Sequence, residues 1–217
     1  MDRSRTWSLD SDVARPLDRG RFILAGRLAI LGATMSDQPT VVLDARSMSR
    51  TLRRMADEVV ELLGGPEDLV LVGIQRRGVQ LAERLAAFIE EREGIRVPGG
   101  ALDITLYRDD LQTIGPRPVV GKTDLPWQLD EKKVVIVDDV LYTGRTIRAA
   151  MDELADFGRP ARIALAVLVD RGGRELPIHA DVVGKRLQAA SHLRVDVSVT
   201  ELDGEDAVTI VPREASG

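Results

Sequence analysis

The chain has 217 residues, no cysteine and a net charge of −5, a length that suits one domain with a substantial core. Lack of Cys excludes disulfides, thiolate metal sites and a Cys nucleophile, and fits a cytoplasmic location. The acidic balance excludes a surface that binds nucleic acid throughout, though not a local basic patch, and no apolar run approaches the roughly 18 residues of a membrane span.

In chain order, residues 1–20 are rich in Arg and Asp without hydrophobic period, which predicts disorder. Residues 1–34 hold six Arg and four Asp. The apolar stretch Phe22–Ala33 is broken by Arg27 and lacks the flanks of a signal peptide. Met35 then opens a segment that reads as an ordinary start. Residues 1–34 are therefore either an extension or a stretch upstream of the true start, and the expected domain is 35–217.

Met48, Leu52, Met55, Val59 and Leu62 recur at spacings of three and four, which predicts a helix over 46–63. Asp44 is placed to cap it and Gly64-Gly65 to end it. Leu69–Val72 reads as a buried strand, residues 73–78 as a loop, and Val79–Glu91 as a second helix. Ala101–Tyr107 alternates like a strand. Residues 108–130 are polar and interrupted by Pro116, Pro118 and Pro126, and a loop of that length is usually functional or mobile. Strands follow at Val134–Val137 and Ile163–Val169, with a helix over Thr146–Phe157 between them. Further β material lies at Val182-Val183 and Val195–Val199. Alternation of this kind predicts an α/β domain with a parallel sheet.

The chemistry concentrates in Val134-Val-Ile-Val-Asp-Asp-Val-Leu-Tyr-Thr-Gly-Arg-Thr146. Ligands of open α/β sheets sit at the carboxyl ends of strands, where Asp138 and Asp139 stand. Neighbouring carboxylates need a partner such as polyhydroxyl groups or hydrated Mg²⁺. Thr143-Gly-Arg-Thr146 leads into a helix whose start favours a phosphate, and Gly144 lets the backbone approach closely. An acid pair beside a phosphate cradle suits a ribose 5-phosphate. The spacing is neither that of a Walker A loop nor that of a dinucleotide fingerprint.

The string resembles the phosphoribosyl-pyrophosphate (PRPP) motif of type I phosphoribosyltransferases. Its spelling resembles the PyrR family, whose members regulate the pyrimidine operon and act as uracil phosphoribosyltransferases. Leu102–Leu111 resembles the family's run into its mobile loop, and Leu168–Ile178 its segment after the motif. The resemblance covers residues 40–212. It implies a type I phosphoribosyltransferase fold: an α/β domain with a central, mostly parallel sheet flanked by helices, a mobile loop and a small hood. It also implies the reaction of uracil with PRPP to give UMP and pyrophosphate. Other bases, or a nucleotide sensor without turnover, are the competing readings. Purine-using relatives carry an Asp where Tyr142 stands, so Tyr142 agrees with a pyrimidine.

On this resemblance Asp138, Asp139 and Arg77 are the catalytic residues. PRPP or UMP is bound by these together with Arg76, Arg108, Val140, Leu141, Tyr142, Thr143, Gly144, Arg145 and Thr146. Residues 73–78 resemble the pyrophosphate loop. Val183, Gly184 and Lys185 are expected at the base. Mg²⁺ is expected to be held mainly through PRPP, with no dedicated protein ligands. Family members also bind the operon's leader mRNA when uridine nucleotides such as UMP or UTP are present, which controls expression by attenuation. Arg50, Arg53, Arg54, Arg174, His179 and Lys185 are the expected RNA contacts. Gly173, His179 and Asp57 depart from the family's frequent His, Arg and His at those positions. The resemblance also implies a homodimer or larger assembly.

Overall fold

The computed structural model, which describes residues 39–104, 123–125 and 129–213, follows the apolar periods of the sequence. After a short strand β1 (Thr40–Leu43), helix α1 runs Ala45–Leu63 with Met48, Leu52, Met55 and Val59 buried in one stripe. Each fully buried aliphatic side chain stabilises by about 1.5–3 kcal/mol, so this stripe outweighs the polar surface of the helix. Asp44 accepts the Ser47 amide at 2.7 Å and caps the start, and Gly64 ends the helix. β2 (Leu69–Ile74) is buried throughout, and α2 follows at Arg77–Glu93. Next come β3 (Gly99–Leu102), β4 (Lys133–Leu141) and α3 (Arg145–Leu154), with a single 3-10 turn over Ala155–Phe157. β5 (Arg162–Asp170), β6 (Val182–Arg186), β7 (Leu193–Ser198), α4 (Thr200–Asp203) and β8 (Ala207–Pro212) complete the order.

Five strands form a parallel sheet in the order β3-β2-β4-β5-β6. A separate antiparallel sheet, ordered β1-β8-β7, forms the hood. Alternate residues of β4 serve opposite faces, as the strand period requires. Val135 and Val137 join α1, α2 and the hood in one apolar cluster. Val134 and Ile136 join α3 in the other.

Several boundaries differ from expectation. β4 does not end at Val137 but continues through the acid pair, because β5 keeps pairing with it (Asp138 opposite Val167, Val140 opposite Val169). β2 leaves the ladder at Gly73, opposite Val137. The acids therefore lie where one neighbouring strand has departed. β3 starts at Gly99, two residues before the expected strand over 101–107, and ends at Leu102; residues 105–107 of that expectation lie outside the described residues. Glycines are poor strand formers, but pairing of Gly99 and Gly100 with Leu71 and Val72 decides the register. α2 begins two residues earlier than its apolar period, at Arg77. Within the expected 108–130 loop, Asp124 bridges to Ala101 and Leu129 is fully buried. Residues 1–38, 105–122 and 126–128, Arg108 included, lie outside the described residues.

Candidate functional site

Asp138 is buried at 7 % exposure. Each acid accepts the next residue's amide: Asp139 N–H donates to Asp138 Oδ1 at 3.0 Å, and Val140 N–H to Asp139 Oδ1 at 2.7 Å. One amide apiece does not offset the loss of water. Burial pushes both carboxyl pKa values up, and the charge of Asp139 pushes Asp138 further. Such a pair is complemented by hydroxyl donors or a cation.

Close approach of α2 brings a guanidinium to the same place. A Cβ on Gly78 would stand 2.5 Å from the Val137 carbonyl oxygen, so only glycine lets the first turn of α2 touch β4 just before the acid pair. Arg76 is exposed, and the Gln75–Arg76 peptide is cis. Arg77 donates from Nε to Asp203 Oδ2 at 3.0 Å and from Nη2 to Asp203 Oδ1 at 2.8 Å. That two-point bond raises the Arg77 pKa, and the charge of Asp139 adds to it.

On the other side, Gly144 precedes α3 with φ 94°, a conformation that suits glycine. Thr143 Oγ1 accepts the Arg145 amide at 3.3 Å, and no acidic residue stands in the first turn of α3 to compete with an anion. The Thr143 carbonyl accepts the amides of Glu175 and Leu176 at 3.0 and 3.1 Å, which fixes the loop from behind. Arg145 turns outward to Glu175 at 2.7 Å. The Tyr142 ring lies under Arg171, 4.0 Å from its guanidinium carbon, with Arg213 at 5.4 Å. It occupies the space a side chain at Gly173 would need, 2.5 Å from that residue's built Cβ.

The residues expected at the base and on RNA divide. The carbonyls of Val183 and Gly184 accept from Arg54 Nη2 at 3.2 and 2.6 Å, so they face α1 and not the acid pair. Lys185 and His179 are exposed. A cavity of about 320 Å³ does lie at the ends of β5 and β6, lined by Asp170, Gly172, Arg186, Leu187 and Gln188. The larger cavity, about 660 Å³, flanks α2 and β3 and touches none of the motif residues, so size does not mark the chemistry. Arg50 is exposed. Arg53 pairs with Glu91 at 2.8 Å and lies over Phe88, Arg54 pairs with Glu58, and Asp57 pairs with Arg92 at 3.2 Å. Arg174 turns inward. It binds Asp170 at 2.7 Å and donates to the carbonyls of Ile178 (2.9 Å), Leu141 (3.3 Å) and Tyr142 (2.7 Å). Asp203 and Arg171 escaped the sequence reading. Their only signals were the acidic run Thr200–Asp206 and, for Arg171, a place within the family's post-motif segment Leu168–Ile178.

Residues 40–200 match the family model of the phosphoribosyl transferase domain. The bifunctional protein PyrR of Chloroflexus aurantiacus is 58% identical over 175 residues, 81% of this chain and 96% of the relative. That of Thermus thermophilus is 57% identical, covering 81% and 97%. The chain belongs to the PyrR family of phosphoribosyltransferases. Solved structures agree on the fold: the hypoxanthine phosphoribosyltransferase of Trypanosoma cruzi superposes with a TM-score of 0.61 at 17% identity, over 81% of this chain and 97% of that one. A hypoxanthine-guanine phosphoribosyltransferase of Bacillus anthracis gives 0.60 at 16% identity, covering 79% and 97%. Membership of the PyrR family makes the chain a phosphoribosyltransferase enzyme, and the parallel sheet with its hood is the type I fold.

Proposed function

We propose that this PyrR-family chain joins uracil to PRPP, forming UMP and pyrophosphate, and that it also binds leader mRNA of the pyrimidine operon in response to uridine nucleotides. The observation that carries the enzyme reading is the acid pair, Asp138 buried and Asp139 half-buried, set between an arginine at the start of α2 and a glycine-led start of α3. N1 of uracil attacks C1 of the ribose as the bond to pyrophosphate breaks, through a transition state with oxocarbenium character. Little covalent work falls to the protein, so positioning and charge carry the rate. Asp138 and Asp139 accept the ribose 2- and 3-hydroxyls. Thr143, Gly144, Arg145 and Thr146 hold the 5-phosphate, with Val140, Leu141 and Tyr142 shaping the loop between. Arg76 and Arg77 face the diphosphate, and Arg108 is assigned to the same phosphates.

Among the described residues no group of three or more acidic, His or Cys side chains could hold a metal. Asp138 and Asp139 would stand beside a Mg²⁺ ion held mainly through the substrate, which would supply positive charge for the departing diphosphate. Among the described residues no helix is long and apolar enough to cross a membrane, and we assign the chain to the cytoplasm as a homodimer or larger assembly. Val183, Gly184 and Lys185 keep only an indirect part at the base, through the strand that ends beside the smaller cavity. RNA contact is assigned to the exposed Arg50, Lys185 and His179, with Arg53 and Arg54 beside them. Arg174 supports the motif from inside.

The test is pyrophosphate release with PRPP and a panel of bases. Turnover is expected with uracil and not with hypoxanthine or orotate. Asp138→Asn should lower kcat/KM by about a hundredfold or more, the scale of losing one preorganised charge contact. Undiminished turnover in that variant would remove the ribose assignment.

A further inference from the structure

The turn between β7 and β8 reads Thr200-Glu-Leu-Asp-Gly-Glu-Asp206, and its carboxylates reach two arginines on α2. Arg84 binds Glu201 at 2.9 and 2.7 Å and Asp206 at 2.8 Å twice. Asp206 also accepts the amide and the hydroxyl of Thr200, both at 2.8 Å. Asp203 accepts the Val199 amide at 2.8 Å and grips Arg77. Residues 77 and 84 are two helical turns apart, hence on one face of α2. The hood turn is thus braced internally and fastened to α2 at both points. Arg77 and Asp203 are part-exposed, at 36 % and 24 % of their side chains, and an ion pair of that kind adds little to stability. Its consequence is geometric. Arginine has a planar fork of five N–H donors on a flexible stem. Gripping Nε and Nη2 fixes the plane of the fork. Among the described residues the Arg77 guanidinium makes no hydrogen bond beyond these two.

We infer that Asp203 is a positioning residue for the pyrophosphate end of PRPP: it holds the Arg77 guanidinium by one edge beside the acid pair and leaves the other edge to the diphosphate. The inference rests on the reading of Asp138, Asp139 and Arg77 given under the proposed function. Preorganising a long side chain lowers the cost of ordering it on binding. The benefit should appear only for ligands that carry the diphosphate.

Asp203→Asn keeps the shape and one acceptor but loses the charged two-point grip. It is expected to raise KM for PRPP about fivefold and to weaken inhibition by pyrophosphate by a similar factor. KM for uracil, kcat and the affinity for UMP, which lacks the diphosphate, should stay near wild type. Asp203→Glu, which keeps the charge but moves the carboxylate out of register, should show the same selective rise if Asp203→Asn folds poorly. Glu201→Gln loosens the hood without touching Arg77 and should leave KM for PRPP unchanged. An unchanged KM for PRPP in both Asp203 variants overturns the proposal. So does an equal loss for UMP and PRPP, or the same defect in Glu201→Gln, since either would mean general loosening of the hood. A wild-type chain that binds PRPP but not UMP would instead overturn the uracil reading, and direct PRPP titration of the Asp203 variants would still decide this one.

Discussion

Asp138 sets function against stability at a single residue. Burial raises its pKa, and the neighbouring Asp139 charge raises it further. A carboxyl whose folded pKa lies above its unfolded value stabilises the fold fully only below the unfolded value, near 3.9, and that contribution is lost as pH rises through the folded pKa. At neutral pH the acid pair therefore weighs against folding. Asp138→Asn cannot ionise and keeps the shape. It should raise Tm at pH 7, and the gain should shrink as pH falls towards about 4. Thermal melts of the ligand-free protein across that range check it, and a variant that melts lower at pH 7 would sink the argument. The same substitution is the one expected to abolish most turnover, an exchange of activity for stability common at strained sites.

At the scale of elements, the arginines near the motif do different work. Arg174 ties the segment after β5 to the motif through Asp170 and three carbonyls. Arg174→Ala would take the paired guanidinium from Asp170 and leave the Ile178 and Tyr142 carbonyls without that donor, while Leu141 keeps the Arg171 amide. A loss of about 2–3 kcal/mol of stability is expected, the scale of charged hydrogen bonds in part-buried surroundings. Arg50→Ala on the exposed face of α1 should change stability by less than about 0.5 kcal/mol. Urea unfolding of the two variants separates these outcomes. Arg174 also shows where the sequence stopped being legible. The helices were readable because their apolar period and caps are local: Asp44, the stripe from Met48 to Val59, Gly64. The acid pair and the glycine of the phosphate loop were readable because strand, loop and helix follow each other directly. The start of β3 was missed because its register comes from β2, against the weak preference of Gly99 and Gly100. The fold of Arg174 back onto Leu141 and Tyr142, and the grip of Asp203 on Arg77 across 126 positions, depend on contacts that no local pattern encodes.

At the scale of the whole molecule, the surfaces proposed for catalysis and for RNA share one frame. Arg54 reaches from α1 to the Val183 and Gly184 carbonyls, and a Cβ on Gly184 would stand 2.9 Å from the Met55 sulfur and 2.5 Å from the Leu168 carbonyl oxygen. α1 therefore lies directly on β6, which puts exposed Arg50 on the helix near exposed Lys185 and Arg186 on the strand. β6 pairs with β5, which ends at Asp170 and, through Arg174, at the back of the motif. The nucleotide position proposed at the motif is thus one strand from the basic strip. Several of its cations are already matched: Arg53 by Glu91, Arg54 by Glu58, and Arg92 by Asp57. The strip should therefore bind few phosphates, and single-stranded bases in a folded RNA should carry specificity. Binding of the operon leader RNA is expected to strengthen when UMP is added at about 0.1 M salt, with a shallow salt dependence that reflects a small number of released counterions. Arg50→Ala should weaken binding across RNA sequences and flatten that slope by roughly one contact, while leaving uracil turnover intact. A gel shift in which UMP makes no difference, with wild-type turnover in the same preparation, would leave the chain as the enzyme alone.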